Sequence, residues 1–482
     1  MNPNRYLSTS ILVLLGGGLI LRLLMAYVIL PDSYISGDVL LYASWANALV
    51  NVGFANLYTS VDGIDYPPGY LYILWFIGQV GRSVAAAAHM DPISVISSLI
   101  RVPSILLDTC TGFMLYLIAR KWAANNPYAE RIGLMATAVY LFNPVTWYDS
   151  AIWGQTDSIG TCLMLLAVIA LTQWPSEIAA ATAALAALVK PQFGAILVPL
   201  IGIVLLRRHL SLRDDFQPDT SLKRAYWRRP DGPIRLLTSA LVATVVFYVL
   251  ITPFHLDAYS FIQRMAKTAA GYPYLSVNAF NPWALVSSGR TPPSAFASPE
   301  TFSSLESFSL DNIPLVGSLT GAAIGAGLLA IGFLLGGTRL LWRADRWSIV
   351  LVGALLSLCF FILPTRVHER YVFAAFTFSS LLAAFDRKWL WATVALAMAS
   401  FMNLHGVLTM VDEDIGRRVY LPFSALFRTP VGVVLSIVLH TAVFFFVIWR
   451  LHPRAMQFEM RWNDADAGVP QSSPSSSESL QS

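Results

Sequence analysis

Two short acidic segments follow the first long apolar stretch of the chain, and they are the clearest candidates for chemistry. The first is Ser36-Gly-Asp-Val, which contains Asp38, and the second is Ile64-Asp-Tyr-Pro-Pro, which contains Asp65 and Tyr66. A positioned carboxylate can take a proton from a hydroxyl group as a general base. Asp38 also precedes a helix-like apolar pattern, where aspartate is a preferred N-cap. The segment alone leaves both roles open, acid–base chemistry and helix capping.

Lys190 and Gln192 interrupt an apolar region in the segment Val189-Lys-Pro-Gln. A buried ammonium group is costly in a membrane unless it meets an anion. The alternative is that the lysine extends along apolar surface and places its charge among lipid head groups. Lys190 is therefore a candidate either for binding an anionic substrate group or for anchoring at the interface.

The densest polar cluster is formed by His368, Glu369 and Arg370, with Arg366 two residues before it. Arginine and histidine side chains form charge-assisted hydrogen bonds with phosphate, and the planar guanidinium group matches phosphate geometry. The alternative is an ion-pair network in which Glu369 binds Arg366 or Arg370. With Lys190 as a second cation at the same level, we favour phosphate binding.

A third polar element is the turn Trp153-Gly-Gln-Thr-Asp, which places Gln155 and Asp157 between two apolar runs. It fits an interfacial turn with a tryptophan anchor and an aspartate cap, and equally a substrate contact. Within the apolar runs, Arg22, Arg101 and Asp108 would be expensive in hydrocarbon. We expect them to pair with one another or to face the interior of the bundle, with Arg101 close enough to the end of its run to reach a cavity.

The composition identifies the elements that must position these residues. Hydrophobic residues make up 56% of the 482 positions, charged residues make up 12%, and the mean hydropathy is +0.59. These values predict an all-α polytopic membrane protein with about twelve transmembrane helices and amphipathic helices in the first outer loop. The predicted spans are 11–30, 97–119, 132–148, 158–173, 178–189, 193–206, 236–253, 315–335, 347–363, 371–385, 389–405 and 431–449.

Lysine and arginine are concentrated at 120–131, 207–229, 339–346, 387–388 and 450–454, which is the pattern of cytoplasmic loops. This distribution places the N-terminus inside and collects the short polar motifs on the outer side. We predict one domain over 1–455, with a first outer loop at 31–96, a basic cytoplasmic loop at 207–235 and a long outer loop at 254–314. The serine-rich segment 456–482 has too little apolar content to fold and is predicted to be a disordered cytoplasmic tail.

Taken together and in order, the motifs resemble the GT-C superfamily of membrane glycosyltransferases. The resemblance extends from about residue 22 to residue 371. It is nearest to bacterial mannosyl- and hexosyltransferases that use polyprenyl-phosphate sugars, and to the dolichyl-phosphate-glucose-dependent glucosyltransferases of N-glycan precursor assembly. The motifs that carry it are Gly37-Asp38, Asp65-Tyr-Pro-Pro, Arg101 with Asp108, Trp153-Gly-Gln with Asp157, and His368-Glu369.

The resemblance implies an inverting transfer of a hexose, mannose or glucose, from a polyprenyl-phosphate carrier to an acceptor hydroxyl, with no metal and no cofactor. Asp38 would be the general base. His368, Arg370 and Lys190 would stabilise the leaving phosphate, with Arg366 behind them. The other residues expected to bind substrate or brace the site are Asp65, Tyr66, Arg101, Gln155, Asp157, Gln192 and Glu369.

One departure from the family pattern concerns the first outer loop. A second acidic residue often stands close to the first, whereas Asp38 is followed by Val39 and Leu40. This weakens a metal role and leaves the acceptor open among a glycolipid, a glycan and a protein. The expected partners are the lipid-linked donor, the acceptor and membrane lipids, without nucleic acid.

The expected location is a bacterial plasma membrane, with the active site facing the periplasm. The alternative class is a secondary transporter or lipid flippase with an outward-facing polar cavity. Transporters place their sites near the membrane midplane and often contain internal repeats, which this sequence does not display.

Overall fold

The computed structural model describes residues 8–30, 37–210, 233–286, 309–412 and 417–452. The predicted disordered tail at 456–482 lies outside the described residues. So do residues 211–232 of the predicted basic loop and residues 287–308 of the predicted long outer loop.

Within the described residues the chain is almost entirely helical. Its α-helices are α1 Thr9–Leu24, α2 Gly37–Ser60, α3 Pro68–Ala88, α4 Pro92–Leu99, α5 Val102–Trp122, α6 Ala129–Leu141, α7 Pro144–Trp147, α8 Asp157–Gln173, α9 Ser176–Val189, α10 Pro191–His209, α11 Pro233–Ile251, α12 Ala258–Ala270, α13 Gly321–Trp342, α14 Arg346–Ile362, α15 Ala374–Ala383, α16 Arg387–Val407, α17 Ser424–Phe427 and α18 Pro430–Arg450.

Short irregular helices and hairpins complete these elements. π-Helical turns span Met25–Ile29 and Tyr148–Trp153, and 3₁₀ turns span Thr252–Phe254 and Pro282–Leu285. Strands β1 Pro314–Val316 and β2 Leu319–Thr320 form one antiparallel hairpin, and β3 Thr409–Asp412 and β4 Arg417–Tyr420 form another.

Eight helical segments of the described chain are long and apolar enough to cross a membrane. They are Thr9–Ile29, Pro68–Ala88, Pro92–Trp122, Pro191–His209, Pro233–Phe254, Gly321–Trp342, Arg387–Val407 and Pro430–Arg450. Four shorter apolar helices accompany them: Asp157–Gln173, Ser176–Val189, Arg346–Ile362 and Ala374–Ala383. The predicted fold class, an all-α polytopic membrane protein, is confirmed.

Two elements differ from the sequence-based prediction. The predicted first outer loop contains α3, which is long and apolar enough to be a span. The predicted span at 132–148 is instead divided. Helix α6 ends at Leu141, and a new helix begins at Pro144 with Asn143 as its N-cap. Proline lacks a backbone N–H, so it suits the first turn of a helix and not its interior.

The helices bury two main apolar clusters. The larger one is formed chiefly by α5, α6, α8, α9, α10, α14, α15, α16 and α18, and the smaller one joins α2, α3 and α4. The two regions meet where α3 begins beside the end of α9. A β-carbon at Gly69 would lie 2.5 Å from the carbonyl oxygen of Leu188, so only glycine permits this approach.

A buried ion pair joins α1 to α5 inside the bundle. Arg22 Nε lies 2.9 Å from Asp108 Oδ2, and both side chains are fully buried. The guanidinium group also donates to Leu141 O and Thr146 Oγ1, while the Tyr140 hydroxyl donates to Asp108 Oδ1. The prediction that charges within the apolar runs pair with one another is confirmed for Arg22 and Asp108.

A second buried polar arrangement holds the segment that follows α12, and we call it the clasp. Asn403 of α16 accepts from Phe280 N at 2.8 Å and donates to Asn278 O at 2.7 Å. His440 of α18 lies 3.0 Å from Phe280 O, and Asn281 Nδ2 donates to Phe361 O at 2.8 Å. The clasp thus ties residues 278–281 to α14, α16 and α18.

We expect Arg22→Met to lower stability strongly, because it leaves the Asp108 carboxylate buried without its cation. Breaking a buried pair costs about 3–5 kcal/mol. The matched control is Arg120→Met, since Arg120 pairs with Glu130 at 3.3 Å with both side chains about one-third exposed; this change should cost less than about 1 kcal/mol. Thermal unfolding in detergent measures both. Equal shifts would contradict the expected role of burial, and the double variant Arg22→Met/Asp108→Leu should recover part of the loss.

Candidate active site

A cavity of about 350 Å³ lies at the end of the bundle where α2 and α10 begin. Its walls come from α2, the turn before α3, the link between α9 and α10, helix α12 and residues 364–371, which we call the 364–371 segment. The polar or aromatic lining residues include Asp38, Tyr42, Trp45, Asp65, Tyr66, Lys190, Gln192, Tyr272, Arg366, His368, Arg370 and Tyr371.

Asp38 lies in the first turn of α2, where a negative charge also complements the helix N-terminus. Its Oδ2 atom accepts from Trp153 Nε1 at 2.9 Å and from Gln155 Nε2 at 2.5 Å. The Gln155 Oε1 atom accepts from the Tyr42 hydroxyl at 3.1 Å, which fixes the orientation of the amide. Two N–H groups therefore hold the carboxylate at the cavity wall.

The turn that supplies these donors depends on Gly154, whose φ is +76°. Glycine adopts this left-handed conformation without steric cost. A β-carbon at this position would lie 2.7 Å from Val39 Cγ2. Gly154 therefore allows Trp153 and Gln155 to approach α2 closely enough to reach Asp38.

Lys190 is held from behind by a buried carboxylate. Its Nζ atom lies 3.0 Å from each carboxylate oxygen of Asp157, and Gln192 Nε2 donates to Asp157 Oδ1 at 2.8 Å. The ammonium group lies 5.9 Å from the centre of the Tyr66 ring and 5.5 Å from that of Tyr371. Burial lowers the pKa of Lys190, and the nearby negative charge of Asp157 raises it. The net shift of the pKa is upward, so the lysine stays charged.

Arg370 is paired in the same way with its neighbour in the chain. Its Nη1 atom lies 2.6 Å from Glu369 Oε1, and its guanidinium carbon lies 5.8 Å from the centre of the Trp153 ring. Glu369 is fully buried, and burial raises its pKa although the guanidinium group opposes this. Glu369 acts behind the wall as the counter-ion of Arg370.

His368 lies between two aromatic rings, with ring centres 4.9 Å from Tyr272 and 5.3 Å from Tyr371. Burial lowers the pKa of His368 well below its usual value, and the positive charges of Arg370 and Lys190 lower it further. The imidazole is therefore neutral near pH 7, and it can donate one hydrogen bond without carrying charge.

Arg366 is bound by a carboxylate that does not line the cavity. Its Nε and Nη2 atoms donate to Asp311 at 2.7 and 3.1 Å, and its Nη1 atom donates to Ala269 O at the end of α12. Thr365 Oγ1 also donates to Asp311, at 2.8 Å. Arg366 therefore connects α12 to the 364–371 segment.

The residues that the sequence singled out occupy three positions relative to the cavity. Those that line it are Asp38, Asp65, Tyr66, Lys190, Gln192, His368 and Arg370. Gln155, Asp157 and Glu369 lie directly behind the wall and hold lining residues. Arg101, which was expected to bind substrate, does not line the cavity: it is buried and donates to Ala26 O.

Sequence reasoning missed one carboxylate behind the wall and one helix of the wall. Asp311 is the carboxylate that binds Arg366, and no local pattern distinguishes it within the predicted long loop. Helix α12 contributes Met265, Thr268 and Ala269 to the cavity. The spacing of apolar residues in Ala258–Ala270 is that of an amphipathic helix and would have located α12.

The fold and the cavity define a polytopic helical membrane protein with carboxylates and cations gathered in one cavity at an end of its bundle. The family model for the ALG6, ALG8 glycosyltransferase family matches residues 18–427, and the chain belongs to this family. The resemblance to GT-C membrane glycosyltransferases is thereby confirmed, and the protein is a membrane glycosyltransferase. No individual curated protein matches the sequence.

We expect Gln155→Leu to reduce the rate of glycosyl transfer about ten- to a hundredfold. The reason is that Asp38 would lose a hydrogen bond, and hydrogen bonds to charged groups contribute about 1.5–3 kcal/mol. Initial rates at saturating donor measure the effect. Gln79→Leu is the matched control, since Gln79 is exposed on α3. An unchanged rate for Gln155→Leu would show that the Gln155 contact does not support activity.

Proposed function

We propose that the protein transfers a hexose from a polyprenyl-phosphate carrier to an acceptor hydroxyl with inversion at the anomeric carbon. Asp38 acts as the general base, and the carrier phosphate is the leaving group. The observation that supports this best is the shared cavity: it brings the Asp38 carboxylate together with Lys190, His368 and Arg370, although these residues lie on three separate parts of the chain.

In this reaction the acceptor oxygen attacks the anomeric carbon from the face opposite the phosphate. The bond between that carbon and the phosphate oxygen breaks, and the acceptor proton passes to Asp38. Trp153 and Gln155 support the proposal because they fix Asp38 and stabilise its negative charge before the proton arrives. A base positioned in this way contributes about 10²- to 10⁴-fold to the rate.

The leaving phosphate gains negative charge as the bond breaks, and preorganised cations stabilise such charge. Lys190 and Arg370 are positioned for this by Asp157 and Glu369, so they need little rearrangement when the donor enters. His368 supplies a hydrogen bond from a neutral ring. The proposed reaction therefore uses side-chain cations and requires neither a metal ion nor a cofactor.

Asp65 and Tyr66 line the cavity between Asp38 and α12 and are proposed to contact the sugar or the acceptor. Family membership favours glucose over mannose as the transferred hexose. The acceptor is proposed to be a lipid-linked glycan, because the cavity also has an apolar side, formed in part by Leu329, Phe360 and Pro364. A lipid chain can lie against such a surface.

The orientation is proposed from the distribution of basic residues. Arg346 stacks on Trp122 and Trp347 at one end of the bundle. Arg235 forms an ion pair with Glu177, and Arg450 forms one with Asp386. None of these residues lines the cavity. Since basic residues favour the cytoplasmic side, the cavity is proposed to face the outside of a bacterial plasma membrane.

We expect Asp38→Asn to abolish transfer, with a loss of at least about 10²-fold, because an amide cannot accept the acceptor proton. The assay uses purified protein, radiolabelled polyprenyl-phosphate glucose or mannose, and a lipid extract of the source organism, with EDTA present. Thermal unfolding confirms that the variant is folded, and the labelled product identifies the acceptor.

Asp62→Asn is the matched control, since Asp62 is exposed near the Asp65 turn and does not line the cavity. It should retain the wild-type rate. Equal activity of wild type and Asp38→Asn would remove Asp38 from the mechanism. Loss of wild-type activity in EDTA, restored by a divalent cation, would overturn the metal-free reaction.

A further inference from the structure

The cations of the cavity wall already have counter-ions. Each of the three is held within 3.0 Å of a carboxylate that is almost fully buried: the pairs are Lys190 with Asp157, Arg370 with Glu369, and Arg366 with Asp311. The net charge of these three pairs is zero. An anionic substrate therefore enters a cavity whose positive charges are matched before it arrives.

Asp65 adds a carboxylate to this cavity that is not part of any such pair. In the part of the chain that the structure describes, no lysine or arginine forms an ion pair with its side chain. Asp65 is partly buried, and its backbone oxygen accepts from Thr268 of α12 at 3.5 Å. Asp38, another lining carboxylate, adds a second negative charge to the same space.

A bound phosphodiester would bring a further negative charge into this space. Like charges that share a site of low dielectric constant cannot all remain ionised at low cost, and one of the groups takes up a proton. We propose that Asp65 takes up one proton from solvent when the lipid-phosphate sugar binds, so that donor affinity falls as the pH rises. This inference rests on the proposed donor class and adds a linkage between donor and proton.

The surroundings favour Asp65 as the proton acceptor over the other carboxylates. Asp157, Glu369 and Asp311 are each fixed against a cation at 3.0 Å or less, and protonation would break these pairs. Asp38 accepts two hydrogen bonds from N–H groups that stabilise its negative charge. Asp65 is the lining carboxylate with no cation at ion-pair distance among the described residues. The hydrogen bond that stabilises its charge comes from its own backbone N–H and not from another part of the fold.

Histidine is the other candidate for the proton. A proton on His368 would place a positive charge beside Arg370 and Lys190, and the ring is enclosed by Tyr272 and Tyr371. Burial raises the pKa of Asp65 above its usual value and the charge of Asp38 adds to this, although a hydrogen bond from its own backbone N–H and the charges of Arg370 and Lys190 oppose it. Both effects favour Asp65 as the group that changes its protonation state.

Charged and titratable groups face Asp65 from every element around it. From α2 these are Asp38 and Tyr58, from the α9–α10 link Lys190, and from the segments beyond α12 Tyr272 and Arg370. Arg264 of α12 lies over the Tyr58 ring, 4.1 Å from its centre. The two cations that act electrostatically on Asp65, Lys190 and Arg370, are those already paired with other carboxylates. The bound phosphate adds one more negative charge to the groups around Asp65.

The direction of the pH dependence follows from linkage. The donor binds better to the form with Asp65 protonated, so binding is pH-independent below the pKa of Asp65 in the free protein. Above that pKa the Kd rises about tenfold per pH unit, until the pKa of Asp65 in the complex is reached. A variant with an amide at this position has no proton to take up.

The test measures binding of farnesyl phosphate glucose to the full-length protein in detergent, between about pH 5 and about pH 8. This phosphodiester keeps a constant charge over the range, so any pH dependence belongs to the protein. For wild type we expect log Kd to rise with a slope approaching one. Asp65→Asn should bind with a Kd that is nearly constant and lower than wild type at the upper end of the range.

Two variants serve as controls. Asp62→Asn makes the same chemical change three positions away and should retain the wild-type slope. Asp65→Glu keeps a titratable carboxyl group and should retain a slope, with its pH range displaced. Thermal unfolding of each variant verifies that it is folded.

An Asp65→Asn variant with the wild-type slope would overturn the proposal, and loss of the slope in His368→Gln would then assign the proton to His368. Tight wild-type binding with a flat pH profile would overturn this inference and leave the proposed function intact. An absence of wild-type binding at every pH, with a folded protein, would instead overturn the donor class and the inference together.

Discussion

The buried ion pair between Asp157 and Lys190 is the interaction on which the arrangement of the cavity depends. Asp157 begins α8, Lys190 ends α9, and Gln192, which binds the same carboxylate, lies in the first turn of α10. One carboxylate therefore sets the relative positions of three helix ends. Removing either charge would leave the other uncompensated in the bundle, which is the costly case for a buried pair.

Breaks in the helices bring side chains to this end of the bundle. Pro191 separates α9 from α10, and the π-helical turn at Tyr148–Trp153 ends at Gly154 in a left-handed conformation. Backbone irregularity of this kind is tolerated in a membrane protein where it lines a cavity or is buried in protein. The same breaks that interrupt the spans expose the polar side chains that the proposed reaction needs.

The sequence was sufficient for the class of fold and for most residues of the cavity. Asp38, Asp65, Lys190 and His368 were identified because polar residues at the ends of apolar runs are costly without a function. Pairings between distant segments could not be predicted in the same way. The Asp157–Lys190 contact spans 33 residues and two helices, so no local spacing encodes it.

Two other features, the orientation of Arg101 and the break in the predicted span at 132–148, could not be predicted from composition. Arg101 carries the same charge as Arg370 and lies near the end of a predicted span, but it is buried and does not line the cavity because the packing of α5 turns it toward Ala26. The predicted span at 132–148 is divided at a single Asn-Pro step. The mean hydropathy of a long window changes little at one such step, so it does not indicate the break. In both cases tertiary packing decided what composition left open.

The clasp has a consequence for the order in which the protein is made. The backbone of Val277 donates to Val367 O at 3.0 Å, so residues 277–281 support the 364–371 segment directly. Their own support comes from Asn403 and from His440, on the last long helix of the described chain. This wall of the cavity is therefore complete only when α18 has packed into the bundle. A chain truncated after α16 would keep the Asn403 contacts but lose that of His440, so residues 277–281 would support the 364–371 segment less firmly.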